Sequence, residues 1–365
     1  MKRREFFKTA SALSVGAAAS TALAAPAIAQ GNITWRMVTT WPKNFPGLGV
    51  GAQRLGDRIT AATGGRLTVE VYAGGELVPP LQALDAVIDG NAEMSHGTPY
   101  YWQSKSAALS FFTGVPFGMT SRELSAWVRY MGGQELWDEV YDQFGVQAFL
   151  SGDTGTQTGG WFRNELTGVA DIQGLRFRTP GLGGQVWGKL GAAVTNMPAG
   201  ETFQALQSGT LDAVEFVGPY NDLALGYYQV AKNYYVSSFV EAGAATELVV
   251  SKAKFQELPE DIQAIVRVCC QAEYDEMASD FYANDPRSLQ ALVEEHGVQV
   301  RQFPDEILEA GAEAAKEVLL EYRESGDELT KKVTESFISA FNVLRTRTEG
   351  TDMPFLAARE KYFSI

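Results

Sequence analysis

Two arginines, Arg176 and Arg178, are separated by one residue in the stretch GLRFRTP at 174–180. Side chains alternate between the faces of a strand, so both arginines lie on one face, and Pro180 with Gly181 ends the strand. A guanidinium group directed into a cleft binds a carboxylate well, because its planar fork matches two oxygens at once. The alternative is an edge strand with both arginines in solvent, since exposed arginine is the common case. This stretch alone leaves both interpretations open.

Residue types that support other chemistry are scarce. His96 and His296 are the only histidines, which excludes a histidine-rich zinc or iron site, and we expect His96 to be a core residue. Cys269 and Cys270 are neighbours in a helical pattern, where a disulfide between them has poor geometry, so both are expected to pack in the interior. The sequence contains no convincing nucleophile elbow, GxGxxG after a strand, CxxC or HExxH motif.

The N-terminal segment resembles an export signal. MKRREFFK places Arg3 and Arg4 before two phenylalanines and a lysine, a mildly apolar run follows, and AIA at 27–29 is a small-x-small cleavage site. Paired arginines before such a run are typical of twin-arginine export, with general secretion as the alternative. Residues 1–29 are therefore predicted to be removed, and the mature protein is expected in the periplasm.

Charge and composition exclude further classes. The full chain has a formal charge of −14, and its first 29 residues hold four basic residues and one acidic residue, so the mature chain carries −17. Such an acidic protein is not expected to bind nucleic acid. No stretch of the mature chain is long and apolar enough for a membrane span. The length of 365 residues predicts about two domains.

Strands and helices alternate along most of the mature chain. Alternating apolar residues predict strands at 33–37 and 67–71, each followed by a helix, and this order recurs between 146 and 216. It predicts an α/β fold with a parallel sheet. Two stretches, 84–93 and 203–212, share a helix, a glycine and an acid entering a strand, which indicates either two similar lobes or a coincidence common in α/β proteins.

The chain is mostly helical from Pro259 onward. Near its end an apolar stripe at helical spacing precedes an aromatic tail, MPFLAAREKYFSI, at 353–365. The stripe consists of Val333, Phe337, Ile338, Phe341 and Leu344. Such a surface must be covered, either by packing within the chain or by a dimer contact.

Four segments in this order resemble one known family. They are GELVPPLQALDAVIDGNAEM at 75–94, IQGLRFRTP at 172–180, ETFQALQSGTLDAVE at 201–215 and FQELPEDIQAIV at 255–266. Over nearly all of its mature length the chain resembles the solute receptors of TRAP transporters, the DctP-like family. The resemblance implies a two-lobed α/β periplasmic binding protein, type II-like, with long C-terminal helices. Such a receptor closes on a small organic acid and delivers it to the membrane permease subunits.

The resemblance also implies a division of the chain and a role for one arginine. Lobe I would comprise 30–154 and 244–285, lobe II 155–243 and 286–328, and 329–365 would be a C-terminal helix and tail exchanged between copies in a homodimer. Arg178 matches the second basic residue of the motif G-x-[KR]-x-R-x-P, the arginine that binds the ligand carboxylate. The first basic position is more often lysine in the family. The role of Arg176 therefore stays open, and we interpret it as a surface or supporting residue.

Within the family, the chain is most similar to receptors for α-keto acids and for lactate. The similarity lies in its length, its export signal, the YYWQ run at 100–103 and the aromatic tail. It implies a 2-oxo monocarboxylate such as pyruvate or 2-oxobutyrate, bound together with Na⁺ or Ca²⁺. A 2-hydroxy acid such as lactate is the alternative ligand.

Oxygen donors for such a cation follow predicted strands. Gln157, Glu215 and Glu241 each lie at or near a strand end, where open α/β sheets place ligand sites. Hard cations prefer these oxygens, and backbone carbonyls complete the set. The carbonyl of Phe216 is our candidate for that position. Asp212 and Glu247 are the competing acids.

An aromatic wall is predicted on the opposite lobe, within residues 100–103. We expect Tyr101, Trp102 or Gln103 to contact a small, partly apolar acid, with Phe216 beside it and the Thr158 hydroxyl as a donor. An exported hydrolase that uses Glu215 and Glu241 as its two carboxylates is the rival class. A receptor of an ATP-driven transporter, with the same broad fold, is a third possibility.

Overall fold

The computed structural model describes residues 32–363. The predicted export signal at 1–29 lies outside these residues. The strands in chain order are β1 Ile33–Thr39, β2 Leu67–Tyr72, β3 Met94–Gly97, β4 Val146–Asp153, β5 Gly160–Phe162, β6 Arg176–Arg178, β7 Ala193–Thr195, β8 Ala213–Val214, β9 Asn233–Tyr235, β10 Ala245–Ser251 and β11 Gln299–Arg301.

Helices separate most of these strands. They are α1 Leu48–Ala62, α2 Ala83–Ile88, α3 Ser121–Tyr130, α4 Gly133–Asp142, α5 Gly181–Lys189, α6 Ala199–Ser208, α7 Pro219–Leu225, α8 Lys252–Glu257, α9 Glu260–Glu294, α10 Asp305–Ser325, α11 Glu328–Arg347 and α12 Met353–Tyr362. None of the helices between residues 32 and 363 has the length and apolar character that a membrane crossing requires.

The strands form two mixed sheets. The first has the order β2-β1-β3-β10-β4, and the second has the order β11-β9-β5-β8-β6-β7. In the first sheet β1, β2 and β3 are parallel, as the strand–helix order predicts. β10 enters this sheet only after most strands of the second sheet have passed along the chain, and it is antiparallel to both β3 and β4. The prediction of an α/β fold is confirmed. The predicted parallel pairing holds for β1 with β2 and β3 and for β6 with β7 and β8, while each sheet as a whole is mixed.

The strand with both arginines, β6, lies inside the second sheet, next to the edge strand β7. β6 pairs in parallel with β7 and β8, while β5 is antiparallel to β8 and β9. The strand predicted at 211–216 is reduced to β8, because the chain leaves the sheet after Val214. The strand residues of the first sheet lie within 33–153 and 245–251, and those of the second within 160–235 and 299–301. The lobe boundaries given above stay a prediction.

Two extended segments, 154–159 and 239–244, connect the sheets. They are hydrogen bonded to each other, since the backbone nitrogen of Gln157 donates to the carbonyl of Glu241 (3.0 Å) and that of Thr154 to Ala244 (3.1 Å). The long helix α9 also spans both halves, packing on β4 of the first sheet and on α7, which follows β8 of the second. These connections are the elements about which the halves would move.

The two echoed stretches fold into the same local structure. Arg36 of β1 donates its backbone nitrogen and its Nε to Oε2 of Glu93 (2.9 and 3.2 Å) and its Nη2 to Oε1 (2.9 Å). Arg176 of β6 makes the same three hydrogen bonds to Asp212, at 3.1, 2.8 and 2.5 Å. Arg176 is therefore a surface residue that fastens β6 to the segment entering β8, and Asp212 is occupied by it.

The C-terminal stripe packs within the chain, but the tail does not. Val333 and Phe337 are buried, and the Phe337 ring lies 5.4 Å from Trp127 of α3. Every residue of α12 is exposed, including Phe355 at 67% and Tyr362 at 76%. The cysteines of α9 are both buried and free, as predicted.

A buried glutamate joins α1 to α9. Glu273 has no exposed side-chain surface and contacts Arg54 at 2.6 Å and Arg58 at 3.2 Å. We expect Glu273→Gln to lower the free energy of unfolding by about 3 kcal/mol, because it removes the charge from a buried ion pair. Glu276→Gln is the matched control, since Glu276 contacts the same arginines but is 48% exposed, and it should cost less than about 1 kcal/mol. Urea unfolding measures both; equal costs would contradict this account.

Candidate ligand and metal site

Arg178 lies inside the protein at the end of β6, with no exposed surface. Its Nε donates to the carbonyl of Met197 (3.1 Å), its Nη1 to the carbonyl of Glu215 (2.5 Å), and its Nη2 to the hydroxyl of Tyr101 (3.4 Å). Its guanidinium also lies over the ring of Phe216, 5.0 Å from the centroid. Arg176 is therefore exposed and Arg178 is buried, although β6 lies between β8 and β7 and is not an edge strand.

Unpartnered oxygens surround this guanidinium. Both carboxylate oxygens of Glu215, one of Glu241 and the amide oxygen of Gln157 are buried without a hydrogen-bond partner. The three residues are only 1%, 3% and 3% exposed. The carboxylate of Glu215 comes no closer than 3.9 Å to the Arg178 guanidinium, so the two charges form only a long ion pair. Buried acceptors normally have partners, and this cluster needs a positive ligand.

Backbone hydrogen bonds bring these residues together. The nitrogen of Glu215 donates to the carbonyl of Arg178 (2.9 Å), which holds the end of β8 beside the end of β6. The bond from Gln157 to Glu241 joins the two connecting segments at the same place. The strand-end placement predicted for these four side chains follows from this pairing.

Both acids resist ionisation in the absence of a cation. Burial raises the pKa of Glu215 to about 8, although Arg178 opposes the shift. Burial and the neighbouring Glu215 raise the pKa of Glu241 well above its usual range. Within residues 32–363 no cluster of three or more His, Cys, Asp or Glu side chains could hold a metal. Two carboxyl groups and an amide are the candidate donors, and oxygen donors of this kind suit Na⁺ or Ca²⁺. The Phe216 carbonyl stays a prediction.

A small cavity lies beside this cluster. About 10 Å³ is available to the centre of a water molecule, which is room for about one. Its walls come from both halves of the protein. They are Trp41, Leu48, Thr98, Tyr100, Tyr101, Thr154, Gln157, Phe216, Val217, Ala244 and Thr246. A larger ligand can enter only when these walls move apart.

Sequence reasoning did not identify several of these wall residues. Trp41 follows the end of β1, and its indole nitrogen donates to Nδ1 of His96 (2.8 Å). His96 is buried, which lowers its pKa to about 3, so it is the core residue expected. Tyr100 lies against Gly181 of the second half, where a Cβ atom would come within 3.1 Å of its ring. The position of Trp41 directly after a strand was the available signal.

Trp102 and Gln103 do not line this small cavity, and neither do Arg178, Glu215 and Glu241. Contact of Trp102 or Gln103 with a ligand stays a prediction. The indole nitrogen of Trp102 donates to Oε1 of Glu247 (2.8 Å) inside the first half. Glu247 also accepts from Tyr141, so its oxygens are occupied and it does not compete for a metal. Consecutive residues of the short 3₁₀ turn Pro99–Trp102 point in different directions, so one run cannot place all its side chains in the cavity.

The hydroxyl of Thr158, predicted to donate to the ligand, has a hydrogen-bond partner inside the protein. It lies 3.0 Å from the hydroxyl of Tyr234, and Tyr234 donates its own hydrogen to Asp222 (2.9 Å). Thr158 must therefore donate to Tyr234, because a phenol has one hydrogen. The hydroxyl of Thr158 retains only acceptor capacity, so it does not donate to a ligand carboxylate in this arrangement.

Fold and site together define a two-sheet α/β receptor for a small anion. A model of the family DctP, described as bacterial extracellular solute-binding protein, family 7, matches residues 37–325. The chain belongs to this family. It is therefore a solute-binding protein, and the resemblance seen in its motifs is confirmed.

One named relative and two solved structures are similar to this chain. The monocarboxylate 2-oxoacid-binding periplasmic protein of Nostoc sp. is 37% identical over 345 residues, covering 92% of this chain and 93% of the relative. A TRAP periplasmic solute-binding protein of Pseudoalteromonas atlantica with bound sodium and pyruvate has a TM-score of 0.87 at 36% identity, covering 90% and 99% of the two chains. A Bordetella bronchiseptica TRAP solute-binding protein, a mixed-occupancy dimer with calcium and picolinate, has a TM-score of 0.87 at 32% identity over the same shares.

Proposed function

We propose that this protein is the periplasmic receptor of a TRAP transporter and binds a small 2-oxo monocarboxylate, such as pyruvate or 2-oxobutyrate, together with Na⁺ or Ca²⁺. The observation that carries the proposal is a fully buried guanidinium beside four buried oxygens without partners. The named ligands of the similar proteins from Nostoc and Pseudoalteromonas support the same ligand class.

Arg178 has donors left for a carboxylate. A guanidinium has five N–H groups, and three of those of Arg178 are used by Met197, Glu215 and Tyr101. One N–H remains on each terminal nitrogen, which is the pair that binds a carboxylate in bidentate fashion. Tyr101 accepts from Arg178, so its own hydrogen is free to donate to the ligand. Phe216 provides an apolar face beside them.

The cation would be held by Gln157, Glu215, Glu241 and the carbonyl of Phe216. A cation here neutralises the two carboxylates and presents positive charge to the ligand. The 2-oxo oxygen and one carboxylate oxygen of the ligand are the atoms that suit its remaining coordination sites. A 2-hydroxy acid offers a similar pair of oxygens, so lactate is included in the tests below.

We infer that binding is coupled to closure and that the protein performs no reaction. The wall residues come from both predicted lobes, 30–154 with 244–285 and 155–243 with 286–328. Closure of two halves about connecting segments is the usual response of such receptors to ligand. The closed form would then be recognised by the membrane permease. Recovery of unaltered acid after incubation distinguishes this function from that of a hydrolase.

We propose further that residues 329–365 contribute to a homodimer. An isolated helix of ten residues is marginal in water, yet α12 has no buried residue and carries two exposed aromatic rings, Phe355 and Tyr362. An apolar groove lies near its start, lined by residues that include Phe117, Leu319, Phe341 and Met353. Exchange of the tail between two copies would cover both apolar surfaces.

Arg178→Lys should weaken pyruvate binding at least about 100-fold, because lysine keeps the charge but loses the fork that binds two oxygens. Arg176→Lys is the matched control, since Arg176 lies two residues away on the surface, and it should leave the affinity within about twofold. Isothermal titration calorimetry with pyruvate, 2-oxobutyrate and lactate measures both variants. Unchanged affinity in Arg178→Lys would contradict the role assigned to this residue.

Removal of cations with a chelator and sodium-free buffer should abolish or strongly weaken ligand binding, and restoring Na⁺ or Ca²⁺ should recover it. Glu241→Gln should reduce the cation dependence, because it removes one of the two charged ligands while keeping an oxygen donor. Calorimetry at fixed pyruvate with each cation measures the effect. Affinity that is indifferent to every cation would contradict the metal site.

Truncation after Arg347 should convert the protein from a dimer to a monomer, because it removes α12 and its exposed apolar residues. Light scattering coupled to size-exclusion chromatography gives the mass of the full mature chain and of the truncated chain. Phe355→Ser with Leu356→Ser tests the same surface at full length. A full-length monomer, or a dimer that survives the truncation, would contradict the exchanged-tail proposal.

A further inference from the structure

The aromatic turn that carries Tyr101 is fastened to β10 on both sides. Before the turn, the hydroxyl of Thr98 donates to the carbonyl of Ala245 (2.9 Å). At its end, the indole nitrogen of Trp102 donates to Oε1 of Glu247 (2.8 Å). β10 begins directly after the connecting segment that holds Glu241. The strand β10 therefore anchors the aromatic turn and also continues the segment that carries Glu241, the proposed cation ligand.

Glu247 is built into the interior. It has no exposed surface, and the hydroxyl of Tyr141 donates to its two oxygens at 2.7 and 2.9 Å. Burial raises the pKa of this carboxyl to about 8. A buried polar group with this many donors fixes the positions of its neighbours, because loss of any partner leaves an unsatisfied atom.

The hydroxyl of Tyr101 depends on this support. Within the described chain its hydrogen-bond partner is Nη2 of Arg178, which belongs to the other sheet, at the long distance of 3.4 Å. In its own half, Tyr101 is held by its backbone bond to Thr98 (3.1 Å) and by ring contacts with Tyr100, Trp102 and Trp41, at 5.0, 6.1 and 6.2 Å between centroids. A rotation of Trp102 would therefore remove one of the three rings that position the Tyr101 ring.

We propose that Glu247 is a positioning residue of the ligand site: by holding the Trp102 indole it holds Tyr101 against Arg178. Trp102, predicted to touch ligand, then acts from behind the wall. The inference rests on the proposed function, because the contact between Tyr101 and Arg178 matters only where Arg178 binds the ligand. It adds Glu247 and Trp102 to the residues that bear on affinity, whereas Tyr141, which donates to the same carboxyl, is not expected to affect it.

The test compares two hydrogen bonds to the same carboxyl. Trp102→Phe removes the donor that leads to Tyr101, and Tyr141→Phe removes the donor that does not. Calorimetry with pyruvate should show about tenfold weaker binding for Trp102→Phe, the order expected from one buried hydrogen bond, and less than about twofold for Tyr141→Phe. Thermal unfolding should show similar losses for both, which separates positioning from stability.

A double-mutant cycle tests the route. In a Tyr101→Phe background, Trp102→Phe should weaken binding much less than tenfold, since its effect acts through the Tyr101 hydroxyl. Glu247→Gln should retain binding, because the amide oxygen still accepts from Trp102, whereas Glu247→Leu should match Trp102→Phe.

The outcomes separate the two proposals. Equal weakening by Trp102→Phe and Tyr141→Phe, or an undiminished effect of Trp102→Phe without the Tyr101 hydroxyl, overturns the positioning role while the receptor function stands. A wild-type protein that binds no 2-oxo or 2-hydroxy acid with any cation overturns the proposed function, and the positioning role with it.

Discussion

The burial of one guanidinium group organises the site. A fully buried arginine needs partners for its charge and its N–H groups, and Arg178 obtains them from two backbone carbonyls, one phenol and one aromatic face. The nearest carboxylate, that of Glu215, stays at 3.9 Å. Because no close ion pair closes on it, the guanidinium keeps donors for an external anion. A direct salt bridge in this place would fill the site.

The same constraint explains the acids around it. Burial is the main cause of the raised pKa of both Glu215 and Glu241, and for Glu241 the neighbouring Glu215 adds to it. In the proposed function a bound cation would stabilise the charged form of both groups and would offset the charge of an entering monocarboxylate. The similar proteins hold sodium with pyruvate and calcium with picolinate.

The architecture divides these charges between the two sheets and their connections. Arg178 ends β6 and Glu215 directly follows β8, both in the second sheet. Tyr101 lies in the turn after β3 of the first sheet, and Gln157 and Glu241 lie on the connecting segments. No single rigid element holds the site. The geometry of the site therefore depends on how the two halves meet. Buried residues such as Glu247 fix the positions of their neighbours within one half.

The sequence by itself determined the fold class and the family, because periodicity and motif order are properties of the linear chain. It also predicted that Arg178, Glu215, Glu241 and Gln157 lie at or near strand ends, and the structure places them close to such ends. The sequence also indicated two similar halves, seen in the matching pairs Arg36–Glu93 and Arg176–Asp212. Only the tertiary structure decided that Arg178 is buried while Arg176, on the same face of β6, is exposed, because that depends on the strands packed beside β6. It also decided that Trp102 donates a hydrogen bond to Glu247 and that Thr158 donates one to Tyr234. Those outcomes depend on partners more than 70 residues away in the chain, and sequence spacing carries no information about such contacts.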